Sequence, residues 1–175
     1  ISFGRAQQNE FYRYGITVDE LSDLSLDATV SSGGPISIEA EGNLNLNASL
    51  RSHGDVTLQS TGGSVTGNAW LVTRDGSVSV SGQQVNLVGD TQVLASPFDE
   101  SITDIEIVAD AGGVTLGGNL SAVNRVSIEQ RGAGNVDVTG VAFASDMQVF
   151  SEGSVSLATS VGTLDVTAEG DVTVS

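Results

Sequence analysis

The chain contains many short triplets in which two apolar residues flank a polar one. Three such triplets make up a repeat of about 21 residues, so that their apolar positions form three columns along the sequence. The columns consist of, first, Leu24, Leu44, Val65, Val85, Val114, Val136 and Val155, second, Val30, Leu50, Leu71, Val93, Leu120, Val141 and Val161, and third, Ile36, Val56, Val78, Ile105, Val126 and Met147. This alternation indicates very short β-strands. A fixed repeat of such strands constrains the fold strongly, because each repeat must bury its apolar residues against the next.

All three columns lengthen in the same part of the chain. Neighbouring members of a column are 19 to 22 residues apart, except for single steps of 29, 27 and 27 residues that fall between residues 78 and 120. One insertion around residues 95–104 accounts for all three long steps. The columns therefore belong to one repeating unit.

Three short strands per repeat predict one turn of a three-faced β-solenoid. We expect an all-β chain that forms a right-handed parallel β-helix over residues 21–175, with about seven turns of about 21 residues stacked roughly 4.8 Å apart. A left-handed solenoid needs a strict turn of about 18 residues, which these steps do not keep. A β-sandwich would not explain three columns in phase. Residues 1–20 are predicted to form an N-terminal cap or docking segment.

The charged residues are strongly unbalanced, with 6 basic and 22 acidic side chains and a net charge of −16. All six basic residues are arginines. Such a chain gains no counterion energy on polyanions, so we expect no nucleic acid partner. No apolar run reaches the roughly 18 residues of a membrane span, so we expect no membrane insertion. The lack of Cys and Lys in the sequence excludes disulfides, cysteine zinc sites and lysine Schiff bases.

Carboxylates gather in and after the insertion, at Asp99, Glu100, Asp104, Glu106 and Asp110. Paired carboxylates on one face could serve a β-helical hydrolase or lyase, but such a site also needs basic residues and aromatic platforms. We therefore assign no catalytic residue and expect no enzyme activity. The oxygens of Asp99, Glu100, Asp104 and Asp110 could instead bind Ca²⁺. A solvated acidic surface without a cofactor is the favoured alternative.

Two residue types occur once each, as His53 and Trp70. His53 lies in a glycine-containing corner, and we interpret it as a solvated turn residue because a catalytic triad needs an apolar pocket and an orienting partner. Trp70 precedes Leu71 of the second column. We interpret it as a corner packing residue, with an exposed sugar platform as the alternative.

The two ends of the solenoid carry exposed apolar groups if nothing covers them. Half of the eight aromatic residues precede the first repeat, namely Phe3, Phe11, Tyr12 and Tyr14. The last apolar pairs are Leu164 with Val166 and Val172 with Val174. We expect these residues to form an interface, either with further repeats of the same polypeptide or with the next copy in an end-to-end stack.

The repeats resemble those of large secreted bacterial surface proteins. The resemblance rests on Gly54–Ser60 (GDVTLQS), Gly153–Ala158 (GSVSLA) and Gly170–Val174 (GDVTV), and the nearest comparison is with filamentous haemagglutinin-like adhesins and autotransporter passenger rods. It implies export to the bacterial cell surface and an adhesive or structural role, and it carries over no functional residue. We therefore expect a rod or stalk segment of an extracellular adhesin or fibre, with a host surface or a polysaccharide as candidate ligand. The alternative is a β-helical domain that binds or cleaves polysaccharide.

Overall fold

Every regular element in the described part of the chain is a β-strand. The computed structural model describes residues 2–8, 11–94 and 103–175, and side chains from residue 15 onward within those ranges. Its twenty strands belong to one sheet. They are β1 (Ser2–Gln8), β2 (Phe11–Glu20), β3 (Leu24–Leu26), β4 (Val30–Ser31), β5 (Ile36–Ala40), β6 (Leu44–Leu46), β7 (Leu50–Ser52), β8 (Val56–Ser60), β9 (Val65–Gly67), β10 (Leu71–Arg74), β11 (Val78–Gly82), β12 (Val85–Leu87), β13 (Thr91–Leu94), β14 (Asp104–Ala109), β15 (Val114–Leu116), β16 (Leu120–Ser121), β17 (Arg125–Gln130), β18 (Val136–Ser151), β19 (Val155–Ala168) and β20 (Val172–Val174).

The strands form three parallel ladders, which are the three faces of a β-solenoid. The first face stacks β3, β6, β9, β12 and β15, the second stacks β4, β7, β10, β13 and β16, and the third stacks β2, β5, β8, β11, β14 and β17. The long strands β18 and β19 continue all three ladders. Only β1 runs antiparallel to its described neighbour, β2. The three-faced parallel solenoid is confirmed, and its right-handed sense stays a prediction.

The solenoid has eight turns of about 20 residues, one more than the repeat predicted. The extra layer has members at both ends. Ile16 pairs with Ile36 on the third face, and Val172 pairs with Val155 on the first. Parallel stacking thus begins at Ile16, inside the segment expected to be a cap. Because the aromatic residues just before it drew this segment into the expected cap, Ile16–Thr17–Val18 was not counted as a triplet of the repeat.

The first and third columns are confirmed residue by residue, including the long steps from Val85 to Val114 and from Val78 to Ile105. The second column was wrong at three positions. Thr91, Ala142 and Thr159 stand in place of Val93, Val141 and Val161.

A constant corner length explains the error at the first two of these positions. Three residues separate the first-face and second-face strands in most turns, for example between Leu46 and Leu50 and between Leu87 and Thr91. The strand pairing keeps that length and places a threonine in the column, whereas an apolar-only alignment moves on to Val93. Geometry at the corner therefore decides the register.

The inward residues of the three faces form one continuous aliphatic core. Gly89, Gly118 and Gly140 stack in successive turns at the corner between the first two faces. A Cβ on Gly140 would collide with the carbonyl oxygen of Gly118, and a Cβ on Gly89 would collide with the carbonyl oxygen of Ala69. This close approach of successive turns leaves room only for glycine. By contrast, a Cβ on Gly33 would meet no atom within 4 Å.

Side-chain oxygens also connect successive turns. In each of six cases a backbone N–H donates to an Asp or Asn oxygen of the preceding turn. The bonds are Asn43 to Asp23, Ser64 to Asn43, Ser77 to Asp55, Asn119 to Asp90, Val141 to Asn119 and Ser154 to Asn135, at 2.6 to 3.0 Å. Backbone N–H groups at the corners, which the strand ladders do not pair, thus find hydrogen-bond acceptors in the preceding turn.

Candidate functional site

A surface groove of about 650 Å³ crosses the second face, where β4, β7, β10 and β13 lie side by side. We call it the Trp70 groove. It is lined by Ser31, Ser32, Gly33, Arg51, Ser52, His53, Trp70, Val72, Arg74, Gln92 and Leu94. These residues come from four successive turns, so only the solenoid fold brings them together.

The floor of the groove is an outward column of side chains. Arg51 pairs with Val72, and Val72 pairs with Gln92 in the next turn. Neighbouring strands are about 4.8 Å apart, which places the Arg51 and Gln92 backbones nearly 10 Å from each other. Because valine is much shorter than the residues around it, Val72 leaves a depression between two longer polar side chains.

Strand β10 and the residue just before it, Trp70, supply the two ends of the groove. Leu71 and Thr73 point inward and are buried, so Trp70, Val72 and Arg74 share the outward side. The first and last of these lie about 13 Å apart along the strand. Trp70 is 56% exposed, and the interpretation of this residue as corner packing was therefore wrong. The groove thus has an aromatic side chain at one end and a guanidinium at the other.

The groove is positively charged in a very acidic chain. Its described lining holds two of the six arginines and the single histidine, and no acidic side chain. Within the described residues, Arg51 and Arg74 make no ion pair, whereas Arg125 and Arg131 pair with carboxylates. No described carboxylate therefore takes up the donors of Arg51 and Arg74, and a guanidinium has five N–H groups with which to bind an anionic ligand. His53 is exposed, as the sequence predicted, and lies beside them.

Buried hydroxyls fix the backbone beneath the groove. The Ser52 hydroxyl donates to the Gly34 carbonyl oxygen at 2.7 Å, and the Thr73 hydroxyl donates to that of Gly54 at 2.5 Å. Each bond joins one turn to the preceding turn, directly behind the outward residues Arg51 and Arg74. Asp75 follows with a φ of 60°, a conformation that Asp tolerates better than most residues. The groove is therefore built on a rigid support.

Two of the acidic residues proposed for Ca²⁺, Asp104 and Asp110, lie far apart. Asp104 begins β14 and Asp110 follows its end, so about 20 Å of extended strand separates them. Asp104 contacts Arg125 at 3.3 Å and accepts a hydrogen bond from Asn124 at 2.7 Å. Asp110 contacts Arg131 at 3.1 Å.

Two members of that proposed ligand set, Asp99 and Glu100, lie outside the described residues. Among the residues that are described, no group of three or more acidic or histidine side chains is placed to hold a metal ion. A calcium site that uses both Asp104 and Asp110 is excluded by their separation. Calcium binding by the insertion itself stays a prediction.

Arg131 forms the shortest ion pair among the described residues. Its guanidinium contacts Glu129 at 2.8 Å as well as Asp110. The hydrogen bond from Arg131 lowers the pKa of the Glu129 carboxyl, and the same bond raises the pKa of Arg131. This cluster lies at the end of the third face, away from the Trp70 groove, and two carboxylates share its single guanidinium.

The residues predicted to form end contacts are only partly described. The backbones of Phe3, Phe11, Tyr12 and Tyr14 belong to β1 and β2, but their side chains lie outside the described part of the structure. At the other end, Leu164 and Val166 are half-buried, while Val172 and Val174 are 49% and 47% exposed. The last turn thus presents apolar side chains to its surroundings.

Sequence reasoning missed Arg51, Arg74 and Gln92 as a set, although the repeat contains the signal. Aligning the turns by the constant corner length puts Arg51, Val72 and Gln92 in one outward column. Two residues further along the chain come His53, just after β7, and Arg74, on β10. A column containing cations, beside the only Trp, stands out in a chain of net charge −16.

The described residues contain no helix with the length and apolar character needed to cross a lipid bilayer. Comparisons with protein-family models, with curated proteins and with solved structures find no match. The resemblance to the repeats of bacterial surface proteins is thus confirmed for the β-solenoid architecture alone.

Proposed function

We propose that this chain is a structural repeat module, a rod segment of an extracellular bacterial fibre or adhesin, and not an enzyme. The observation that supports this most directly is the unbroken third face, on which one in-register column runs from Ile16 to Leu164 through every turn. Such a stack resists bending, because every turn is hydrogen-bonded to both neighbours along three faces. Eight turns at about 4.8 Å give a rod of roughly 38 Å.

The outward surface is suited to a solvent-exposed stalk. Most middle positions of the triplets carry small polar side chains, namely Ser25, Ser37, Asn45, Thr57, Ser79, Asn86, Thr115, Ser127 and Ser156. These residues keep a β-rich surface hydrated, and the net charge of −16 opposes lateral association between rods. A cell-surface location agrees with this surface and with the absence of cysteine from the sequence.

Contact between rods is proposed at β20. The exposed Val172 and Val174 belong to β20, whose only described neighbour is β19. An apolar strand with a free edge pairs readily with another strand. The proposed partner is a strand of a second copy of this chain.

Two measurements on the intact native protein test the rod proposal. Negative-stain electron microscopy should show an elongated particle with a width of a few nanometres, and antibodies against this chain should label unbroken cells. Labelling that appears only after cell lysis, or a compact particle, would reject the extracellular rod.

A second candidate function is saccharide binding on the side of the rod. The exposed Trp70, placed in a groove with arginines, favours it over a featureless stalk. The described lining holds no carboxylate that could act as a general acid or base, so the groove favours binding over cleavage.

A further inference from the structure

We propose that the Trp70 groove binds an acidic saccharide, in which a carboxylate-bearing sugar lies between Trp70 and the guanidinium groups of Arg51 and Arg74. This inference rests on the saccharide-binding candidate and does not depend on the rod being extracellular. It assigns the ligand class, the contacts and the charge that the ligand must carry.

The aromatic end of the groove selects a sugar. A pyranose ring has one face of C–H groups, which packs on an indole, and an edge of hydroxyls, which needs donors and acceptors. Trp70 supplies the exposed aromatic surface. The Gln92 amide and the Ser31 hydroxyl supply polar groups on the same outward column as Val72. An apolar surface and polar groups thus lie together in the groove, as saccharide recognition requires.

The cationic end of the groove selects a carboxylate. Arg51 is on β7 and Arg74 is on the adjacent β10, two residues further along, so their Cα atoms are about 8 Å apart. Both side chains are long enough to reach one anionic group between them. A guanidinium binds a carboxylate through two parallel hydrogen bonds, which fixes orientation as well as charge. Neither arginine has a described carboxylate partner within the protein.

The charge of the whole chain limits the ligand to one or two acidic sugars at this site. The net charge is −16, and the Debye length is about 8 Å at physiological ionic strength. An acidic group inside the groove therefore experiences mainly the nearby arginines. A dense polyanion would extend beyond them and be repelled by the acidic surface. An isolated or terminal acidic sugar is the expected ligand.

The strand pairing argues against an acidic peptide. Peptides that bind a sheet commonly add a strand to a free edge. Here β7, β10 and β13 are each paired on both sides, so the groove offers side chains and no free backbone edge. A ligand must lie across side chains of successive turns, as a rigid ring does.

The test uses Trp70, the only tryptophan of the chain, as its own fluorescence reporter. Two matched probe pairs are titrated at low salt, sialyllactose against lactose and cellobiouronic acid against cellobiose. We expect one or both acidic probes to bind at least about tenfold more tightly than their neutral counterparts, as a charge-assisted contact would give. The two acidic probes distinguish a sialic acid from a uronic acid.

Three variants locate the contact. Arg51→Gln and Arg74→Gln should each weaken binding of the acidic probe at least about tenfold while leaving the neutral probe unchanged. Arg125→Gln is the matched control, because Arg125 already pairs with Asp104 on the third face, and it should bind as the unmodified chain does. Circular dichroism checks that each variant remains folded.

Each contrary result has a distinct meaning. Equal binding of acidic and neutral probes would overturn the acidic specificity and leave the saccharide-binding candidate standing. Absence of binding by all four probes at millimolar concentration would overturn both. Tighter binding of polygalacturonate or of hexaglutamate than of either acidic probe would reassign the groove to a polyanion or to an acidic peptide.

Discussion

Replacing Thr91 by Val should stabilise the solenoid, although it removes a polar group. Thr91 is 1% exposed and stacks between Leu71 and Leu120 in the second column. Its hydroxyl has no hydrogen-bond partner among the described residues. A buried hydroxyl without a partner costs about 1–3 kcal/mol, and a methyl group in its place gains nearly 1 kcal/mol of apolar burial. Allowing for incomplete burial in the unfolded chain, we expect a gain of about 1–2 kcal/mol.

Thr73 provides a matched control on the same face. It is 0% exposed, but its hydroxyl donates to the Gly54 carbonyl oxygen at 2.5 Å. Thr73→Val therefore leaves a buried carbonyl with one partner fewer and should destabilise the chain by about 1 kcal/mol. The same substitution, at equal burial and one turn apart, is thus expected to have opposite signs.

Thermal unfolding followed by circular dichroism measures both variants. For a chain of this size, 1 kcal/mol corresponds to a shift of roughly 2–4 °C in Tm. Thr91→Val should melt above the unmodified chain and Thr73→Val below it. If both variants melt lower by the same amount, the hydroxyl of Thr91 has a partner in solution and the reasoning from its missing hydrogen bond is refuted.

Three further predictions concern other features of the structure. Arg131→Gln should lower Tm at neutral pH, because it removes the hydrogen bond that lowers the pKa of the Glu129 carboxyl. The stability that comes from a lowered carboxyl pKa is present above the ordinary pKa of about 4.3 and is lost as the pH falls through the lowered pKa. The difference in Tm between the variant and the unmodified chain should therefore vanish in acid, and a difference that does not change with pH would contradict this prediction. Gly140→Ala should destabilise the chain by several degrees in Tm, because its Cβ meets the preceding turn, while Gly33→Ala should melt normally; equal melting of the two would show that the corner relaxes freely. Val172→Asp should suppress any increase of light scattering with concentration and salt, since it charges the exposed strand of the last turn; unchanged scattering would exclude β20 as the contact between copies.

Most of the fold could be predicted from the sequence, because stacking repeats its own pattern. The first and third columns follow from apolar residues alone, as in the series from Ile36 to Met147. The second column needed a different rule, since Thr91 occupies a core position that hydropathy assigns to Val93. Backbone geometry at a three-residue corner outweighed the preference of one side chain for the interior.

That single register error also concealed the groove. With Val93 beside Leu71, the residue opposite Val72 would be Leu94. With Thr91 there, it is Gln92. The outward direction of Trp70 could be read from alternation with the inward Leu71. The availability of Arg51 and Arg74 could not, because it depends on which carboxylates lie within reach in three dimensions.

The proposed calcium ligands show the converse case, in which spacing held information that was not used. Asp104 and Arg125 are 21 residues apart, and so are Asp110 and Arg131. In a solenoid of this period each pair is adjacent between turns, so ion pairing was the expected fate of these carboxylates. Their mutual distance along β14 follows from the same register.

The six hydrogen bonds from backbone N–H groups to Asp and Asn oxygens all have the same direction, with the acceptor in the earlier turn. A folded turn therefore presents acceptor oxygens to the backbone N–H groups of the segment that follows it in the chain. Among the described residues, it presents no such acceptors to the segment that precedes it. Growth of the structure should be easier toward the C-terminus than toward the N-terminus, in the order in which a ribosome delivers the chain. Chains shortened from the C-terminal end should then keep their remaining turns, whereas those shortened from the N-terminal end should fold slowly.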